Sequence, residues 1–248
     1  MSSVYPPESR KLDVISHLEE LRKRILLSLL FLAVFTALSF VKGDTLMRWI
    51  TEPARGYVNE MIFISPTEGF MSFLKVAMLF GLLWTVPFIT FQLWAFLSPA
   101  FGAEAGTRIL LWLTGGFFLF YAGVLFSYFL AIPAAVRFLL SFGSQVARAN
   151  ISIGKYVSFT GALILVGGIV FEIPVLIGLF TDIGVVKASY LRAKRHYAIL
   201  AIMIFAAVIT PTQDIMNMLV FAVPMMLLFE IGIIISSIIE KRRPENRV

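Results

Sequence analysis

The sequence predicts an all-α polytopic membrane protein, one integral domain of six transmembrane helices with both termini on the cytoplasmic side. Three observations carry this expectation. Of the 248 residues, 59% are hydrophobic and 15% charged, and the mean hydropathy is +0.89, outside the range of soluble domains. Uncharged runs recur at about the 20 residues that carry a helix across a bilayer. Lys and Arg flank those runs, so the net charge of +6 reads as membrane topology and not as a nucleic-acid groove.

The elements follow in order. Uncharged stretches at 25–41, 76–103 and 109–136 give three spans. A fourth, 156–181, is interrupted only by Glu172. The last stretch, 197–239, holds only Asp214 and Glu230 and is long enough for a hairpin turning at Thr210-Pro211-Thr212-Gln213-Asp214, where proline removes a backbone donor. The predicted spans are roughly 24–41, 74–97, 108–131, 156–180, 194–210 and 215–238. The fifth is short for a hydrocarbon core of about 30 Å. Either it extends back through Arg192 or the bilayer thins around it. The first span follows basic residues but has no small-x-small cleavage site after it, and reads as a retained helix. The outer loop 42–75 is long, with aromatic and acidic residues, and is expected to form short interfacial helices.

Six spans place both termini on one side, and positive charge selects it. Arg10, Lys11, Arg22, Lys23, Arg24, Arg108, Lys187, Arg192, Lys194, Arg195, Lys241, Arg242, Arg243 and Arg247 fall there, fourteen of the 21 Lys and Arg. That side is expected to be the cytoplasm. The absence of an Arg/Ser-rich transit segment favours a plasma (inner) membrane over an organelle.

Cysteine is absent, which excludes disulfides, thiolate metal sites and a cysteine nucleophile. His17 and His196 are the two histidines, too few for a metal site, and no HExxH, GxSxG or phosphate-loop motif occurs. Neither an enzyme nor a cofactor is expected.

Val14, Leu18, Leu21 and Ile25 share one face of an amphipathic helix over 13–24. Its other face carries Glu19/Lys23 and Glu20/Arg24 at i,i+4 spacing, so the plainer reading is a self-satisfied, solvated helix start. The functional reading has Glu20 at the membrane surface, positioned to accept a guanidinium fork.

His17-Leu18-Glu19-Glu20-Leu21-Arg22-Lys23-Arg24 resembles the HL-x-ELR-x-R signature that opens the TatC family. Pro87 through Gln92-Leu93-Trp94-Ala95-Phe96 to Pro99-Ala100 is similar to the family's second landmark, and Phe171-Glu172-Ile173-Pro174 to its FE-x-P motif. Lys194-Arg195-x-Tyr197, Thr210-Pro211-Thr212-x-Asp214 and Phe229-Glu230-Ile231 resemble the last three. The matches keep family order over nearly the whole chain.

The resemblance implies a glove-like, concave bundle. It also implies a receptor for twin-arginine signal peptides of folded proteins, which recruits TatA-like and TatB-like single-span subunits for export driven by the proton-motive force. Membrane lipid surrounds it, and a homo-oligomer within the translocase stays open. Carried over by position, Glu20, Leu21, Arg22 and Phe96 belong to signal-peptide binding. The inner loop departs from the family: without gaps its glutamate falls on Ala105, and the neighbouring acid, Glu104, is the residue expected to take that place in signal-peptide binding after a one-residue loop shift. The resemblance assigns Pro53, Phe70 and Lys75, which opens the second span on the outer side, to a structural outer cap, whereas interfacial anchoring and turn chemistry is their plainer reading.

Glu172 lies inside the fourth span two residues before Pro174, a structural residue whose ring is expected to open the helix and free a carbonyl nearby. An ionisable group at membrane depth is functional by default, and with Asp214 and Glu230 it is a candidate polar contact for a signal peptide or partner helix. A neutral, hydrogen-bonded core carboxyl is the alternative for Glu172, and snorkelling for Glu230. A different class, a proton- or ion-coupled secondary transporter using Glu172, would show related halves with broken helices in matching positions. Spans one to three and four to six show no such match.

Overall fold

A computed structural model describes residues 7–58, 60–97, 106–141, 150–209 and 215–242. Ten α-helices and two short strands lie among them. Five helical stretches are long and apolar enough to cross a membrane, and Arg195–Val208 is a shorter apolar helix.

Helix α1 (Pro7–Val41) runs unbroken for 35 residues, because proline opens it at its first position and neither Gly nor Pro follows. At 1.5 Å per residue it is about 50 Å long, so its first turns project beyond a 30 Å core. It leans on α3 (Glu68–Leu97) through Thr36, whose Oγ1 would lie 2.4 Å from a Cβ at Gly81. Phe31 stacks on Phe88 at 4.4 Å between centroids. Leu26, Leu30 and Leu38 point outward and are mostly exposed, as lipid-facing side chains must be.

Short helical elements do form in the loop after α1, which caps this end of the bundle. Helix α2 (Gly43–Thr51) buries Leu46, Met47 and Ile50 on one face and turns Arg48 and Trp49 outward. A 3₁₀ turn (Glu52–Ala54) follows, and Gly56 adopts a φ of 91° that only glycine takes readily. Strand β1 (Met61–Ile62) pairs in parallel with β2 (Ile151–Ser152), joining two loops far apart in sequence.

The third span is longer than the sequence suggested. Helix α4 (Gly106–Phe126) passes through a π-helical turn (Ser127–Ala131) into α5 (Ile132–Ser141), so helix continues ten residues past 131. Pro133, which has no N–H to give, follows directly on the widened turn, where intrahelical bonding is already shifted.

The fourth span is two helices, α6 (Ile153–Phe171) and α7 (Ile173–Asp182), broken at Glu172. Helix α6 packs on α3 and α4, whereas α7 packs chiefly on α10 (Ile215–Arg242). Glycines let α4 approach α6 closely: a Cβ at Gly123 would sit 2.2 Å from the Gly167 carbonyl oxygen. The fifth span does not extend back through Arg192. Lys194, at φ −103° and ψ 13°, separates α8 (Ala188–Ala193) from α9 (Arg195–Ile209), leaving α9 about 22 Å long. The expected hairpin turn, Asp214 included, lies outside the described residues.

Candidate functional site

Three sets of polar side chains stand out along the bundle. The first is at the end opposite the cap. Arg24 donates from Nε to Glu20 Oε1 at 3.0 Å and contacts the same oxygen through Nη2. Its Nη1 donates to Gln92 Oε1 at 3.2 Å. Of the two i,i+4 pairs expected on this helix, Glu20/Arg24 is the one formed among the described residues. Arg24 thus ties two segments that the sequence offered separately, the start of α1 and the end of α3. Arg22 is exposed, and Leu21 and Phe96 are half-buried. Leu18 and Ile25 are mostly exposed, so this part of the helix's apolar face is not spent on the chain's own core. Beside Gln92, the rings of Phe91 and Trp94 lie 6.3 Å apart. The buried Trp94 Nε1–H meets no acceptor among the described residues. Glu104 lies outside the described residues.

The second set surrounds the break at Glu172. Its N–H still donates to Ile169 O at 3.1 Å and its carbonyl accepts from Leu176 N at 2.9 Å. Helix therefore resumes at once, with Pro174 buried in the first turn of α7. The half-buried Glu172 carboxyl lies over Gly116 of α4, its oxygens 3.1 and 3.3 Å from where a Cβ would stand. No donor among the described residues bonds it. A side chain at 116 would crowd the pocket, so glycine at that place is what gives the carboxyl room.

The third set binds α8 and α9 to α10. Arg195 Nη2 donates to Glu230 Oε2 at 2.6 Å, Arg192 Nη2 to Ser237 Oγ at 2.6 Å, and Ala188 N to Glu240 Oε1 at 2.9 Å. Glu230, read from sequence as a candidate partner contact, is held by this chain's own Arg195.

Some polar residues were not singled out from sequence. Buried Thr181 donates to Ser236 at 2.8 Å, pinning α7 to α10. Trp112 Nε1 donates to Asp182 at 3.3 Å, and its ring fills the space above Gly178, where a Cβ would come within 1.9 Å. Small residues at helical spacing, Gly178 and Thr181 among them, were the available signal.

In the cap, Glu68 Oε2 accepts from Ile64 N at 2.6 Å. Its Oε1 accepts from Gly154 N at 2.8 Å and from Ser152 Oγ. Pro53 is the middle residue of the 3₁₀ turn, and Phe70, mostly exposed, meets Phe40 edge-on at 6.3 Å. Among the described residues no group of three His, Asp or Glu is placed to hold a metal.

Set beside known proteins, residues 16–224 match the family model of the Sec-independent protein translocase protein TatC. That match covers every landmark named above except Phe229-Glu230-Ile231. The chain belongs to the TatC family. It is 32% identical over 235 residues to TatC of Carboxydothermus hydrogenoformans, spanning 95% of this chain and 97% of the relative. It is 33% identical to TatC of Deinococcus radiodurans, spanning 98% and 92%. A crystal structure of the twin-arginine translocase receptor TatC superposes with a TM-score of 0.79 at 29% identity, covering 90% of this chain and 99% of that one. As a TatC-family member the chain is a multi-pass membrane component of a protein translocase, and transport, not enzymatic turnover, is the family's business.

Proposed function

We propose that this TatC-family chain is the receptor that binds twin-arginine signal peptides at the cytoplasmic face. On this reading it has six spans with both termini in the cytoplasm of a plasma membrane, and α9 crosses where the bilayer thins around its 22 Å or so. The observation that carries the proposal is the Glu20–Arg24–Gln92 chain. It sets a carboxylate in fixed orientation beside an exposed apolar face and an aromatic pair, at the helix end where a membrane-surface ligand arrives. A paired-arginine ligand brings planar, bidentate donors that suit such a carboxylate better than ammonium groups do. The Glu172 carboxyl, half-buried over Gly116, supplies a polar contact at membrane depth for the signal peptide's apolar stretch or for a single-span TatA-like or TatB-like subunit. Transport is then driven by the proton-motive force. The secondary-transporter reading of Glu172 gains nothing from the relatives.

The direct test is binding of a fluorescent twin-arginine signal peptide to the purified full chain, with a twin-lysine peptide as control. Preference for arginine at moderate salt is expected. Equal affinities would remove the receptor reading.

A further inference from the structure

We propose that a phospholipid occupies a groove between α1, α3 and α6, with its phosphate on Lys75 and one acyl chain running along the bundle. The groove encloses about 330 Å³ and is walled by apolar side chains such as Leu32, Met78, Leu82 and Leu165. Its α3 wall is the stripe 75, 78, 79 and 82, one face over two helical turns, so the groove runs parallel to the helix axes for about 10 Å. Lys75 is the one charged residue lining it and stands at the end nearest the cap.

The groove exists because α1 and α6 flank α3 while small residues hold the walls low. Gly161 contributes no side chain, and a Cβ there would meet Leu79 only at ordinary contact distance, 3.6 Å. Lys75 Nζ donates to Ser158 Oγ at 2.8 Å, and Ser158 in turn donates to Gly154 O at 2.8 Å. An ammonium has three protons, and no carboxylate among the described residues lies within ion-pair distance of Lys75.

Cation at the cap end and hydrocarbon below it is the polarity of one membrane lipid standing upright. A transmembrane helix fits less well: at about 10–12 Å across and 5.4 Å per turn, a single turn exceeds the whole cavity. Its apolar flank would also offer Lys75 no anionic acceptor.

The test is native mass spectrometry of the full chain released from detergent after incubation with palmitoyl-oleoyl phosphatidylglycerol. The unmodified chain is expected to keep one lipid. Lys75→Gln should weaken retention about tenfold or more, and Lys75→Arg should restore it. Gly161→Leu, which fills the groove below an intact Lys75, should weaken it as well. Lys75 is exposed, so Lys75→Gln leaves the fold intact and carries the test even if Gly161→Leu does not fold. Undiminished lipid retention in both variants would overturn the proposal. So would photo-crosslinking from position 78, in membranes, to a single-span protein in place of lipid.

Discussion

Replacing Glu20 with Gln is the sharpest perturbation of the proposed receptor site. The side chains of Glu20 and Arg24 are 38% and 24% exposed, so solvent screens their pair and its loss should cost the fold less than about 1 kcal/mol. A bound guanidinium changes the balance. It covers the carboxylate with a second cation in bidentate geometry, and truncating one partner of such a pair costs about 2–5 kcal/mol once the contact is desolvated. With this much residual exposure the low end applies, about 2 kcal/mol, or roughly 30-fold in Kd. Glu19→Ala, one residue away and exposed, should change affinity less than about threefold. Titration of the full chain with a twin-arginine peptide, monitored by fluorescence anisotropy at two salt concentrations, separates these outcomes. Equal, small effects at both positions would show Glu20 to be one half of a solvated helix pair, refuting its recognition role.

Gly123→Ala would press a methyl into the Gly167 carbonyl at 2.2 Å, and since backbone cannot rotate away it should destabilise by about 1–3 kcal/mol; thermal unfolding in detergent unchanged from the parent chain would contradict the glycine seam. Glu230→Arg should loosen α9 from α10 and Arg195→Glu should do likewise, with the exchanged pair recovering most of the loss, as read by hydrogen exchange in α9. The pair is half-exposed, so each change is worth less than about 1 kcal/mol, and failure of the exchanged pair to recover would disprove the clamp. Glu172→Gln keeps shape and an acceptor and should retain most transport, whereas Glu172→Leu should lose it; equal loss in both would show that charge, not hydrogen bonding, is what the site needs.

The spans were legible in sequence because membrane crossing is written in length and charge, which need no tertiary information. Their ends were less so. The third span, expected to end near 131, runs on as helix through Arg137 to Ser141, since a charged side chain near an interface can reach water without breaking helix. At the fifth span the expected start near 194 holds within a residue: Lys194 separates α8 from α9, and the alternative of a helix extended back through Arg192 fails. For the site, Glu20 and Glu172 were visible as acids where acids are costly, and the Glu20/Arg24 pair followed from i,i+4 spacing. That Arg24 also reaches Gln92 across 68 positions is a product of how α1 crosses α3 at Thr36 and Gly81. No local pattern encodes it. The Glu68 clasp was missed for the same reason, because its donors come from 64 and 65 on one side and 152 and 154 on the other.

The fourth span shows how a single break builds a site at membrane depth. Upstream, α6 is committed to α4 and the π turn through Gly167 and Gly168, whose missing side chains let Ser127 and Phe120 close in. Downstream, α7 is committed to α10 through Thr181, Ser236 and the close approach of Gly232 to Ile177. The interruption falls two residues before Pro174, which has no N–H to give to the helix. Glu172 caps both halves, so its backbone stays bonded while its side chain is released from helical stacking toward α4. A carboxyl on an unbroken helix here would be wedged against a neighbour or turned to lipid. At the break it rests over Gly116 instead, half-covered and within reach of whatever lies along that face.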